Sequence, residues 1–402
     1  MNCKPRPTSV LARVVALACA GALALSACGG SESEKAASSD GPIKVGVLSD
    51  LSGATADVGT PYAEGIRGYA AWINKNGGIE GRKLELLAND YAYKVPQAEQ
   101  LYSQYRSEGV VGVQGWGTGD TEALRQKVTQ DEIPFMSASY AESLVDPAKT
   151  PYNFVVAPTY SDQIRIAVKQ IAERAKGHQE IAVFHHDSPF GTAPIEDGRA
   201  YITQAGLDLG YRAYAMPAGA TDYAGILSQA KAQGAKWAIV QNVSGPAALL
   251  ARNIKQQGMD MKLVCLNWCA DEGFVTAAAD AAEGALLVQP WAPPATSAKG
   301  FEQIAQHLSS EGSSLEKKGL HYAQGWFTMH VMAEGIRAVV KGGQKVTGPA
   351  LKKALEEMGA VDTGGVSAPI DFSADSHRGA SKSGVYTVKG RTLEQVAASV
   401  TP

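Results

Sequence analysis

From Ile43 onward the chain alternates short runs rich in β-branched residues with longer stretches whose apolar positions recur every three or four residues. That rhythm is the signature of βαβ units, because parallel strands can be joined only by crossover segments, usually helices. Ile43–Ser49 reads as the first strand. Thr60 is expected to cap the first helix, with Pro61 in its first turn; Tyr62, Ile66, Tyr69 and Ile73 share one face, and Asn76-Gly77-Gly78 stops it. Strands over Lys83–Ala88, Val110–Val113 and Ile133–Ser137 then alternate with helices over Gln97–Glu108 and Thr121–Gln130, which makes one α/β lobe.

After a strand at Asn153–Val156 the rhythm begins again with a helix over Ser161–Lys176. Strands are expected at Glu180–His185, Arg212–Met216, Trp237–Gln241, Lys262–Leu266 and Ala285–Gln289, with helices near Ile195–Gln204, Tyr223–Gln233 and Pro246–Gln257. A long apolar helix over His321–Lys341 carries Tyr322, Trp326, Met329, Ala333 and Ile336 as a buried stripe. The predicted fold class is therefore α/β, with two doubly wound, Rossmann-like lobes. Open sheets of this kind bind ligands beyond the carboxyl ends of their strands, so the loops there are the places to look for function.

The N-terminus carries an address. Lys4, Arg6 and Arg13 precede the apolar run Val14–Leu25, whose twelve residues fall short of the roughly 20 needed to span a bilayer. The run ends in Leu25-Ser26-Ala27-Cys28, which resembles the bacterial lipobox and implies cleavage before Cys28 and lipidation of its thiol. The following segment to Gly41 has no aliphatic residue larger than alanine and is expected to be a flexible tether. The mature protein is thus expected outside the cytoplasmic membrane, held to it by lipid.

Removing residues 1–27 takes away Lys4, Arg6 and Arg13 and no acid, so a net charge of −3 becomes −6. No basic stripe exists to displace counterions from phosphates, and nucleic acid is excluded as a partner. Of five cysteines, Cys3 and Cys19 leave with the signal and Cys28 is the lipid site. Cys265 and Cys269 either pair in an oxidising compartment or stay as buried thiols. No second Cys/His pair at suitable spacing suggests structural zinc, and no metal or other cofactor is expected.

The stretch Ile43-Lys-Val-Gly-Val-Leu-Ser-Asp-Leu-Ser-Gly53, with Gly59, Glu64-Gly65, Trp72-Ile-Asn-Lys-Asn-Gly-Gly-Ile79 and Gly81-Arg-Lys-Leu84, resembles the opening of leucine/isoleucine/valine-binding proteins. These are the type I periplasmic binding proteins of branched-chain amino acid ABC importers. The likeness continues in order through Asn89-Asp90, Ser161-Asp162-Gln163, Phe190-Gly191, Thr221-Asp222-Tyr223, Ala282-Glu283-Gly284 and Asp371-Phe372. It implies two lobes joined by a three-segment hinge, with crossings expected near Val156–Pro158, Val288–Pro290 and Gly364–Ala368. The first lobe is then 42–156 plus 289–365, and the second is 157–288 plus 366–402. It also implies a small-molecule solute, an ABC permease with a cytoplasmic ATPase as partner, and a monomer.

In this family two first-lobe loops present hydroxyls and backbone N–H groups to a ligand carboxylate. The matching residues are Trp116, Gly117 and Thr118 in one loop and Ala138, Ser139 and Tyr140 in the other. The second lobe contributes an aromatic, here Phe190, and loop positions that fall at Asn242 and Asn267. Family members that bind amino acids pair the ligand ammonium with an acid, and Asn267 stands there instead, beside Trp268. An unpaired ammonium in a closed cleft is costly, so a solute other than a simple α-amino acid is expected, unless Asp90, Asp187 or Asp271 supplies the charge. Trp116, Tyr140, Phe190 and Trp268 suggest an aromatic pocket for a ring or an extended apolar body.

An enzyme is the rival reading, but the chain has no G-x-S-x-G elbow, no H-E-x-x-H and no P-loop, and Gly115-x-Gly117 has Asp120 where a dinucleotide motif needs glycine. His185 and His186 are adjacent on a strand and would face opposite ways. A ligand sensor built on the same fold is the third reading.

Overall fold

A computed structural model describes residues 41–402. The expected export signal and the expected lipid site Cys28 lie outside the described residues. Ile43–Ser49 (β1) is buried at nearly every position because β2 (Leu84–Asp90) and β3 (Gly112–Gly115) flank it in parallel and helices pack on it. With β4 (Phe135–Ser137) and β5 (Asn153–Phe154) they form a five-stranded sheet in the order β2-β1-β3-β4-β5.

The second sheet repeats the plan. Its parallel part runs β7 (Leu209–Met216), β6 (Gln179–His186), β8 (Ala235–Gln241), β9 (Lys262–Cys265) and β10 (Leu286–Gln289). In both sheets the second strand lies on one side of the first and the later strands on the other. An antiparallel hairpin, β11 (Ser383–Lys389) and β12 (Thr392–Val400), then extends the second sheet from β10. One apolar core serves the first sheet, and two others serve the second.

The first helix departs from expectation by starting at Ala56, so Thr60 does not cap it and Pro61 lies inside it. The cause is Asp50, whose carboxylate accepts from Gly53 N–H (2.6 Å), Thr55 N–H (2.9 Å) and the Thr55 hydroxyl (2.7 Å). That side chain organises the turn before the helix, which sequence spacing alone does not reveal.

The chain passes between the sheets after β5, after β10 and before β11. Ile370 and Phe372 pack in the first core, and isolated bridges join Val361 to Ile370 and Val155 to Arg378. The third passage therefore comes later than Gly364–Ala368, and residues 366–372 stay with the first lobe. Among the described residues no helix is long and apolar enough to cross a membrane.

Candidate functional site

Strand order reverses between β1 and β3 in the first sheet and between β6 and β8 in the second. Such switch points leave a crevice beyond the carboxyl ends of the strands. Here both open into one cavity. Thr55 follows β1, Trp116, Gly117 and Thr118 follow β3, Phe190 follows β6 and Val243 follows β8. Tyr93, Ala138, Tyr160 and Trp268 complete the lining of a nearly closed cavity with about 10 Å³ of free space.

Aromatic rings form much of the wall. Trp116 meets Trp268 edge to face with centroids 4.9 Å apart, and Tyr140 stacks on Trp268 at 5.6 Å. Tyr160 packs edgewise against Phe190 at 5.4 Å. Both indole N–H groups are engaged: Trp116 Nε1 donates to the Thr55 hydroxyl (2.8 Å) and Trp268 Nε1 to the Tyr160 hydroxyl (3.0 Å). Those bonds hold the rings in place.

Polar capacity is concentrated on the first lobe. The helix Thr118–Gln130 begins at the cavity with Gly117 as its N-cap, which supplies no side-chain cap, so the first-turn N–H groups and the positive end of the helix dipole face this region. The Thr118 and Ser139 hydroxyls are 2.7 Å apart beside it. Glycine is needed at 117, because a Cβ there would meet the Asp120 carboxylate at 2.4 Å and the Tyr91 hydroxyl at 2.6 Å. This combination suits a carboxylate without any cationic side chain.

Of the expected site residues, Trp116, Gly117, Thr118, Ala138 and Phe190 line the cavity, Ser139 adjoins it through Thr118, and Tyr140 stands behind Trp268. Asn242 and Asn267 do not line it. The Asn242 carbonyl oxygen accepts from Val243 N–H (2.8 Å), while Asn267 accepts from Gln324 (3.0 Å) and takes its backbone bond with Gln163 (3.1 Å). Val243 and Trp268, the residues that follow them in the chain, line the wall instead. Thr55, Tyr93, Tyr160 and Val243 were not expected from the sequence; Thr55 and Val243 follow switch-point strands, but strand order is not written in local pattern.

None of the acids considered for an ammonium group reaches the lining. Asp90 is held by Leu51 N–H, Ser52 and Ala92 N–H, Asp187 is exposed, and Asp271 is bonded to His321 and Ser244. The lining residues include no carboxylate, ammonium, guanidinium or imidazole. Behind Gly117, burial pushes the Asp120 carboxyl up to about 7 despite the hydrogen bond from Tyr91 (2.7 Å), and its second oxygen has no partner.

Cys265 and Cys269 are free and buried. Among the described residues no group of three or more His, Cys, Asp or Glu is arranged to hold a metal ion.

The profile of one family, the periplasmic binding proteins, matches residues 42–392. The chain belongs to the periplasmic binding protein family. This periplasmic binding protein is 23% identical over 316 residues to the leucine-, isoleucine-, valine-, threonine-, and alanine-binding protein of Pseudomonas aeruginosa, covering 77% of the chain and 82% of that relative. Its fold superposes on a branched chain amino acid ABC transporter from Thermus thermophilus with bound valine, with a TM-score of 0.85 and 23% identity over 90% of this chain and 97% of that one. An ABC transporter substrate binding protein from Aeropyrum pernix gives a TM-score of 0.82 at 27% identity, with the same coverage. The Thermus likeness, at that identity, is one of fold.

Proposed function

We propose that this periplasmic binding protein is the extracytoplasmic solute-binding component of an ABC importer, tethered through lipidated Cys28 and delivering its solute to a permease driven by a cytoplasmic ATPase. The proposed solute is a small carboxylate with a ring or other apolar body. Its carboxylate would sit at the Thr118 helix start beside Ser139, and its body among Trp116, Phe190, Val243 and Trp268. The observation that carries this reading is a shared cavity at two facing switch points whose lining holds hydroxyls and aromatic rings but no charged side chain.

A branched-chain amino acid is the second reading, supported by what the Pseudomonas and Thermus relatives are named for. It would need a counter-charge for the ammonium, and Asp120 behind Gly117 is the acid available to it. Catalysis is the weaker alternative. Ser244 and His321 both bond the same oxygen of Asp271, so the imidazole is not placed to take the serine proton.

The test is a thermal-shift screen of residues 41–402 followed by calorimetric titration, using aromatic carboxylates, aromatic amides, polyols, leucine and valine. A ligand bound only by the native state raises the melting temperature. Stabilisation by aromatic carboxylates is expected. Micromolar or tighter leucine binding with aromatic carboxylates silent would refute the preferred solute class and establish the second reading.

A further inference from the structure

The two lobes also meet outside the cavity, through a buried charged pair. His321 is the second residue of the helix Leu320–Lys341 in the first lobe, and its Nε2 is 2.5 Å from Asp271 Oδ2 in the second. Asp271 caps the helix Glu272–Ala278, accepting from Phe274 N–H at 2.6 Å, and also accepts from the Ser244 hydroxyl. The other imidazole nitrogen, Nδ1, is 2.6 Å from the Gln324 side-chain oxygen, and Gln324 donates in turn to Asn267 of the second lobe at 3.0 Å. Both ring nitrogens thus face acceptors, an environment that only the doubly protonated imidazolium satisfies.

The ring has a second task. It stacks on Trp268 with centroids 5.3 Å apart and planes 26° apart, and Trp268 is a wall of the cavity. Two further bonds cross beside the pair: Gly245 N–H to the Asp57 carboxylate (2.8 Å) and Leu320 N–H to Glu272 (2.6 Å).

We infer that His321 and Asp271 are positioning residues that form a charge-paired latch between the lobes, holding Trp268 against the solute cavity and coupling lobe closure to protonation of the imidazole. The inference rests on the reading of the protein as a clamp, but it concerns the clamp without solute.

Burial opposes the charged imidazole, and the hydrogen bond and charge of Asp271, with help from Gln324 and Glu272, outweigh it, so His321 is raised above its ordinary 6.5. Burial likewise pushes Asp271 up, but the His321 bond and charge, Ser244 and Phe274 N–H bring it below 3.8. The other groups around this recess are Asp57 and Glu272, both raised chiefly by burial, with Glu316, Lys317 and Lys318; Lys318 is paired with Glu64 at 2.8 Å. In the open form His321 returns to water. Its contribution to closure is then complete below 6.5 and is lost as pH rises through the higher closed-form value, while that of Asp271 is present above 3.8. The latch is strongest between those two pH values.

The test places spin labels at Glu85→Cys in the first lobe and Lys231→Cys in the second, both exposed positions, the native thiols being buried. Interlobe distances are measured by pulsed dipolar spectroscopy without solute, at about pH 5.5 and about pH 9, on either side of imidazole titration. The closed-to-open ratio should fall at the higher pH by about tenfold for each unit separating the closed and open values of His321. His321→Gln and Asp271→Asn should each lose that dependence. An unchanged ratio in the otherwise native chain, or a native pH dependence retained by His321→Gln, overturns the latch; the first comparison needs neither His321→Gln nor Asp271→Asn to fold. A failed solute screen would instead overturn the functional reading alone.

Discussion

Gly65 and Gly325 are reciprocal contacts at the crossing of two helices. A Cβ on Gly65 would lie 1.9 Å from the Tyr322 carbonyl oxygen, and one on Gly325 would lie 1.9 Å from the Tyr62 carbonyl oxygen. Helices Ala56–Lys75 and Leu320–Lys341 therefore touch backbone to backbone, which fixes Leu320 and His321 relative to the turn after β1.

Gly65→Ala should accordingly destabilise the protein by about 3 kcal/mol, because the obstructing atom is backbone and cannot turn aside. Gly225→Ala is the contrasting case. Gly225 lies in the helix Ala224–Ala232 with nothing near its Cβ position, so alanine there should add about 0.5–1 kcal/mol through helix propensity. Thermal and urea denaturation of both variants check the pair, and equal effects would contradict the close crossing.

Trp268 has Tyr62, Trp116, Tyr140 and His321 as ring neighbours, and so belongs at once to the cavity wall and to the contact between lobes. Trp268→Ala is expected to weaken the solute found by the screen at least tenfold, about 1.4 kcal/mol or more. Trp116→Phe, which keeps a ring but loses the bond to Thr55, should cost less. Calorimetric titration of both variants, with melting curves as a folding control, decides the order.

Asp120 provides a pH-dependent stability. Its carboxyl is raised from 3.8 to about 7, so between those values the folded state holds a proton that the unfolded state has released. Stability then falls as pH rises through that range, by on the order of 4 kcal/mol in all. Asp120→Asn can still accept from Tyr91 and should melt higher than the native protein at pH 8, with no gain near pH 4. A gain of equal size at both pH values would show that the carboxylate is not the cause.

The strand runs were legible because a parallel strand covered by helices is mostly apolar, as in Ile43–Ser49, and the stripe in His321–Lys341 was legible because one face of that helix is buried. The hairpin β11–β12 was missed. β12 is an edge strand with Thr392, Glu394, Gln395 and Val396 exposed, and it has no strong apolar pattern to display. At the site, Trp116, Thr118 and Phe190 could be placed by family resemblance, but Asn242 and Asn267 were each one residue from the wall.

The sequence by itself determined what local chemistry specifies: the alternation of strand and helix, the glycine and hydroxyl residues around Gly117, and the family. Only the tertiary structure decided which loops face each other. Thr55 and Val243 join one cavity because β1 and β8 are switch-point strands of different sheets, and His321 meets Asp271 because two lobes close on each other. Local pattern encodes burial and backbone preference within a few residues. Contacts between residues 50 or more positions apart depend on how whole sheets pack, and no short stretch of chain carries that information.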